Sequence, residues 1–276
     1  MAPPEPKATA GPLTDHSDLI QQAAGGSAAA QLGLVELAIA AGKSGCCRQI
    51  ESLTAAETWA RLAAASGGAD ENWSLVSVLL ARAEFEIERC ATYNAEWYEG
   101  EARRILGLLV LLDDQNAQQA LNELAEPQAG EHHGLDIVML TNLAAAAKGN
   151  LTALGSLCDE AFRLLQEGQS DPIEALTAGE LYARLASVSG DADHMRRLAG
   201  VLLKRAEYEY RDGWAALGDN AVAEAIVLLS ILVDSGDRGM ATWLSMLVDE
   251  SSMAAVATAA SHRPTILKFI DVKGAC

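Results

Sequence analysis

Several groups of carboxylates, thiols, imidazoles and one lysine stand close enough in this sequence to act together. Gly42-Lys43-Ser44 has the ending of a phosphate-binding loop. The full loop needs a glycine five residues before Gly42, where Leu37 stands, and a strand leading into it, where a helix-forming run stands. The tripeptide therefore reads as the basic last turn of a helix. Cys46 and Cys47 are adjacent, with no second pair to complete a four-ligand zinc site. His132-His133 beside Glu131 reads as a solvated loop. Glu84, Glu86 and Glu88, partly matched by Glu207 and Glu209, put carboxylates along one helix. A di-metal centre would add Glu-x-x-His motifs on facing helices, and the chain has no Glu-x-x-His, so pairing with neighbouring arginines is expected instead. Asp191-Ala192-Asp193 opens like a calcium loop, but Met195 and Arg196 stand where the next acceptor and the glycine belong. Gly-x-Ser-x-Gly and the dinucleotide glycine motif are both missing. No catalytic, cofactor-binding or metal-binding residue is assigned, and the chain is not expected to be an enzyme.

The elements that carry these residues repeat. Residues 50–88 and 173–211 align with a constant shift of 123, and 22 of the 39 positions are identical. The same shift pairs Glu101-Ala102 with Glu224-Ala225, Leu106 with Leu229 and Leu121 with Leu244. Thr54 with Glu57, and Thr177 with Glu180, have the spacing of a capping box, which predicts helix starts there. Glu57 and Arg61, Glu180 and Arg184, Arg82 and Glu86, and Arg205 and Glu209 are each four apart, as ion pairs along a helix require. Ser66-Gly67 and Ser189-Gly190 stop the helices, and Asp70 and Asp193 are placed to cap the next ones. Further helix pairs are expected at about 17–24 with 28–41, 95–112 with 116–125, 136–148 with 151–167, and 220–235 with 239–249.

Six hairpins, three per copy, imply an all-α chain: an internally duplicated α-solenoid. Composition agrees, since half the residues are hydrophobic and only 5% aromatic. Much of the apolar content is Ala and Leu, the strongest helix formers. The expected organisation is a disordered arm at 1–14, a first unit at 15–126, a linker at 127–135, a second unit at 136–250, and a short helix with a tail at 251–276.

The formal charge is −18. Phosphate backbones and anionic membrane surfaces both call for clustered Lys and Arg, so neither nucleic acid nor membrane is an expected partner. Such acidity ordinarily serves solubility; a basic protein partner is the sharper reading. The amino terminus lacks the apolar core of a signal peptide, and no uninterrupted apolar run has the length of a membrane span. Five cysteines without regular spacing fit reduced thiols in a cytoplasm.

Residues 55–70, AAETWARLAAASGGAD, resemble the Sel1-like repeat, a relative of the tetratricopeptide repeat, through Ala56, Trp59, Ala63-Ala64 and Gly67. Ala30-Gln31-Leu32-Gly33 is similar to the companion helix of that family with compressed spacing, and the second copy keeps Tyr182 at the aromatic position. The resemblance implies a protein-binding adaptor with no cofactor. Two functions follow: a non-catalytic scaffold that holds a partner on a helical-repeat surface, or a chaperone-like protein that keeps a secretion or assembly substrate in an acidic groove. Divergence between the copies is sharpest where Glu71-Asn72-Trp73-Ser74 faces His194-Met195-Arg196-Arg197. Trp and Arg are enriched in binding hot spots, which makes Trp73, Arg196 and Arg197 the candidate partner-binding residues. Packing of Trp73 on the adjacent hairpin is the competing role.

Overall fold

The chain is described here from a computed structural model covering residues 16–45, 47–124 and 137–250. The expected arm at 1–14, the linker at 127–135, the tail at 251–276, Cys46 and His132-His133 lie outside the described residues. Helices form wherever Ala/Leu-rich runs lie between capping residues and glycines. The described residues hold α1 (His16–Ala24), α2 (Ala28–Ser44), α3 (Gln49–Ala64), α4 (Ala69–Glu88), α5 (Thr92–Leu111) and α6 (Gln115–Glu123). They continue with α7 (Ile137–Ala146), α8 (Leu151–Gln166), α9 (Pro172–Ser187), α10 (Ala192–Arg211), α11 (Ala215–Asp234) and α12 (Arg238–Glu250). The chain is all-helical over these residues, and helices neighbouring in sequence pack against one another within α1–α6 and within α7–α12.

Helix starts differ from the expected capping boxes. Thr54 and Thr177 lie well inside α3 and α9, not at their ends. The Thr54 hydroxyl donates back to the Ile50 carbonyl (2.8 Å), and Thr177 is fully buried with its Oγ1 unpartnered. α3 starts five residues before Thr54, where the Glu51 carboxylate accepts from the Arg48 backbone N–H (3.2 Å). α9 starts at Pro172, with the Asp171 side chain accepting from the Ile173 N–H (2.9 Å). Proline with its fixed φ suits the first helical position, and the residue before it is held extended. Asp70 and Asp193 likewise sit in the first helical turn; the N-cap positions belong to Gly68 and Asp191. The stops fall as expected, with Gly67 (φ 88°) and Gly190 (φ 74°) in the left-handed region.

Beyond neighbours, the halves meet in a reciprocal pattern. α3 packs on α9, α1 on α9, and α3 on α7. A shift of 123 residues carries α1 onto α7 and α3 onto α9, so the contact of α1 with α9 is the counterpart of α3 with α7. The turns at Gly26 and Gly149, also 123 apart, abut each other. A Cβ on Gly26 would lie 2.7 Å from the Ala147 carbonyl oxygen, and one on Gly149 would lie 3.1 Å from the Gly25 backbone. Both glycines also have positive φ, so a side chain is excluded twice over. One continuous apolar core runs through both halves. α11 has the length and apolar composition of a membrane-crossing helix; it packs on α10 and α12, and its Glu224 pairs with Arg184.

Asp191→Ala removes a cap that accepts from two N–H groups of α10. It is expected to lower the unfolding free energy by about 1 kcal/mol in a reversible urea titration. Thr177→Val removes a buried, unpartnered hydroxyl and is expected to leave stability unchanged or raise it. The opposite ranking of the two variants would place the helix start back at Thr177.

Candidate functional site

α3 and α9 are buried on nearly every face. A helix enclosed in this way is ordinarily apolar all round, yet α3 carries Glu51, Glu57 and Arg61, and α9 carries Glu174, Glu180 and Arg184. Charges taken out of water must be paired and hydrogen-bonded to be tolerated. The partners come from α4, α5, α10 and α11.

In the first half, Arg61 donates through Nη1 and Nη2 to both oxygens of Glu101 on α5 (2.6 and 2.7 Å) and through Nε to Glu57 (2.9 Å). In the second half, Arg184 grips both oxygens of Glu224 on α11 and donates to Glu180 (2.9 Å). These forks match the planar guanidinium to a carboxylate, the strongest geometry for the pair. Arg82 on α4 and Arg205 on α10 then reach across the boundary between halves. Arg82 Nη2 donates to Glu174 of α9 (2.6 Å), and Arg205 donates to Glu51 of α3 and to Glu180 (2.6 Å to the latter). Arg82 and Arg205 are 123 apart, as are Glu51 and Glu174, so these two contacts are reciprocal. Arg48 has no basic counterpart; it adds a cation that bonds Glu51 (2.8 Å) and Glu209.

The carboxyls feel this field in different ways. Burial opposes ionisation of Glu180, but Arg205 and Arg184 outweigh burial and hold its pKa down at about 2. For Glu174 burial prevails over Arg82, and its pKa is raised. Burial, aided by the Glu51 charge, pushes the Cys47 thiol up to about 11, so it stays protonated at neutral pH.

Two clefts flank the α3–α9 contact. One, of about 310 Å³, lies among Glu86, Tyr93, Asn94, Tyr98, Asp171 and Glu174. The other, of about 630 Å³, lies among Cys47, Arg48, Leu202, Arg205, Trp214 and Ala221, with Arg184 and Glu224 also on its wall. The larger has the size of a small-molecule site. A third cleft, of about 680 Å³, lies along the start of α10, where Arg196 and Arg197 meet Thr152, Ser156 and Asp193.

The three residues singled out by divergence all have intramolecular partners. Trp73 is half-buried, packs against the core and donates its indole N–H to Asp114 (2.7 Å), the N-cap of α6. Arg196, 123 residues on, donates to Asp237 (2.6 Å), the counterpart of Asp114 and the acceptor for the Gly239 N–H at the start of α12. Different side chains thus make the same tie. Arg197 pairs with Asp159 on α8 (2.8 Å). Arg196 and Arg197 share the third cleft, whose lining does not include Trp73.

Sequence reasoning recovered the helix-face pairs Glu57–Arg61 and Glu180–Arg184 but missed that they are buried, and missed the cross-half bonds of Arg82 and Arg205. The available signal was the retention of Glu51/Glu174, Arg82/Arg205 and Glu101/Glu224 at the common shift, all but Glu51 beside an Ala. Comparison with family models, with curated proteins and with solved structures finds no match to this chain.

Glu180 has a folded pKa below its ordinary value of 4.5, so its stabilising share is present above about pH 4.5 and is lost as pH falls toward 2. Glu180→Gln is expected to be less stable than wild type at pH 7, by about 3 kcal/mol. That difference is expected to close as the pH is lowered from about 4.5 toward 2. A difference that stays constant over the same pH range in urea titrations would rule out the assigned role of Glu180.

Proposed function

We propose that the chain is a non-catalytic protein-binding scaffold, built from two copies of a three-hairpin unit as a diverged relative of the Sel1-like and tetratricopeptide-like repeats. The duplication is supported by the common shift of 123, which relates all six helices of one half to those of the other. Among the described residues, the backbone contacts between halves are mainly α3 with α9, α1 with α9 and α3 with α7, and Arg82 of α4 and Arg205 of α10 add side-chain bonds across the same boundary. The units therefore meet through their interiors, and their outer helices remain open to partners. The resemblance is supported by the places its residues take: Ala56, Trp59 and Ala63 are buried in α3, as are Tyr182 and Ala186 in α9.

The observation that carries the binding role is on α5. Leu108 and Leu111 near the end of α5, and Leu112 that caps it, are 61%, 80% and 72% exposed, at i, i+3, i+4 spacing. Their counterparts at the end of α11 and its cap are Ile231, Asp234 and Ser235, so the stripe belongs to the first copy alone. An apolar stripe of this kind suits an amphipathic helical segment laid against it. With a chain charge of −18, and Asp113 following the stripe directly, the partner segment is one with Lys or Arg beside its apolar face. Trp73, Arg196 and Arg197 are assigned to the frame, since their bonds to Asp114, Asp237 and Asp159 already engage them.

Leu108→Asp with Leu111→Asp is expected to weaken retention of a partner recovered from the native cell by about tenfold or more, with helicity and melting temperature unchanged. Retention is also expected to fall as salt is raised. Undiminished retention by the double variant would remove α5 as the docking stripe. Recovery only of unfolded chains would favour a chaperone-like role over a scaffold.

A further inference from the structure

The two clefts beside the α3–α9 contact share corresponding lining positions, among them Tyr98/Ala221, Asn94/Leu217 and Glu174/Glu51, yet one is narrowed and the other is open. In the narrower cleft, Tyr98 lies with its ring 5.0 Å from the Arg82 guanidinium and its hydroxyl accepts from Arg82 Nη2 (2.7 Å). At the shift of 123, Arg205 stands for Arg82 and Ala221 stands for Tyr98. The exchange deletes a whole phenol group over a retained arginine. The cleft volume is about 630 Å³ on the Ala221 side against about 310 Å³ on the Tyr98 side.

Neighbouring exchanges reshape the open cleft in the same sense. Leu217 replaces Asn94, Ala216 replaces Tyr93, and Trp214 replaces Ala91. Trp214 is half exposed, and its ring stands 5.8 Å from the Arg48 guanidinium. The wall is thus more apolar and carries an aromatic ring near the opening, the usual makeup of a small-molecule site. Polar capacity is left over next to the cleft, at Glu209, which does not line it but pairs with the lining residues Arg48 and Arg205. Asn94 donates to Glu86 (3.4 Å) in the first half, whereas Glu209 Oε2, the counterpart, is buried with no hydrogen-bond partner among the described residues. Leu217 has no group to offer it.

The charges select the ligand. Arg48, Arg184 and Arg205 are all bonded to carboxylates, namely Glu51, Glu180, Glu209 and Glu224. Carboxylates outnumber the cations, so an added anion gains no free positive charge. A neutral hydroxyl can accept from a guanidinium and donate to a carboxylate at once. We propose that the cleft beside Ala221 binds a small neutral hydroxy-aromatic molecule, its ring in the place that Tyr98 fills in the other half and its hydroxyl toward Arg205. This site is independent of the protein-docking stripe on α5.

The test uses the full chain with 4-fluorophenol followed by fluorine NMR, and 4-methylphenol, the side chain of tyrosine as a free molecule, as competitor. Saturable binding at about one site per chain is expected, displaced by 4-methylphenol and not by benzoate. Ala221→Tyr fills the cleft and is expected to weaken binding by about tenfold or more. Should that variant fail to fold, Ala221→Leu, which fills the same space without a hydroxyl, is read in its place with the same expectation. Tyr98→Ala makes the reverse exchange and is expected to raise the stoichiometry to about two. Absence of saturable binding to wild type, undiminished binding to the filled variant, unchanged stoichiometry in Tyr98→Ala, or stronger displacement by benzoate would each overturn the proposal.

Discussion

Burying a guanidinium between carboxylates drawn from both halves of the chain is the constraint on which this structure turns. α3 and α9 are enclosed on nearly every side, and their charged residues are wholly or largely withdrawn from water. Each such charge is costly alone and tolerable only when matched in place. Arg82 and Arg205, 1% and 13% exposed at the side chain, meet that requirement by reaching a carboxylate on the opposite half as well as one on their own. The ion pairs therefore specify which helices face each other as much as they add stability. A slip of α3 along α9 would part Glu51 from Arg205 and Glu174 from Arg82.

Reciprocity of this kind is what an isologous interface requires: a contact from i to j is matched by one from the counterpart of j to the counterpart of i. Here it lies within one chain, so the two sides are free to diverge. Gly26 and Gly149 keep the close approach on both sides, because any side chain there would strike the facing backbone. Tyr98 and Ala221 do not correspond in this way; one narrows its cleft and the other leaves it open. Arg48 and Asp171 likewise have opposite charge at corresponding positions. Shared residues build the frame, and unshared ones give each side its own chemistry.

Helix type and order were legible in the sequence because Ala/Leu runs, glycine stops and the common shift agree with one another. Starts were less legible. Thr-x-x-Glu at 54–57 and 177–180 matches a capping signature, but α3 and α9 are buried and extend a turn or more upstream of it. Asp171-Pro172 was the better marker. Divergence at Trp73 and Arg196 gave no sign that these unlike side chains make equivalent bonds to Asp114 and Asp237. Spacing along one helix could suggest Glu57–Arg61, yet no local pattern points from Arg205 to Glu51, 154 residues away. That pairing follows from tertiary packing, and with it the open cleft beside Ala221.

The most direct test of the account is a double-mutant cycle on Arg205 and Glu51, using Arg205→Ala, Glu51→Ala and the pair, with unfolding free energies from urea titration at pH 7. The two residues belong to different halves, so coupling between them reports the boundary itself. A coupling of about 1 kcal/mol or more is predicted. Single effects that add to within about 0.3 kcal/mol would contradict the claim that reciprocal buried ion pairs join the two halves.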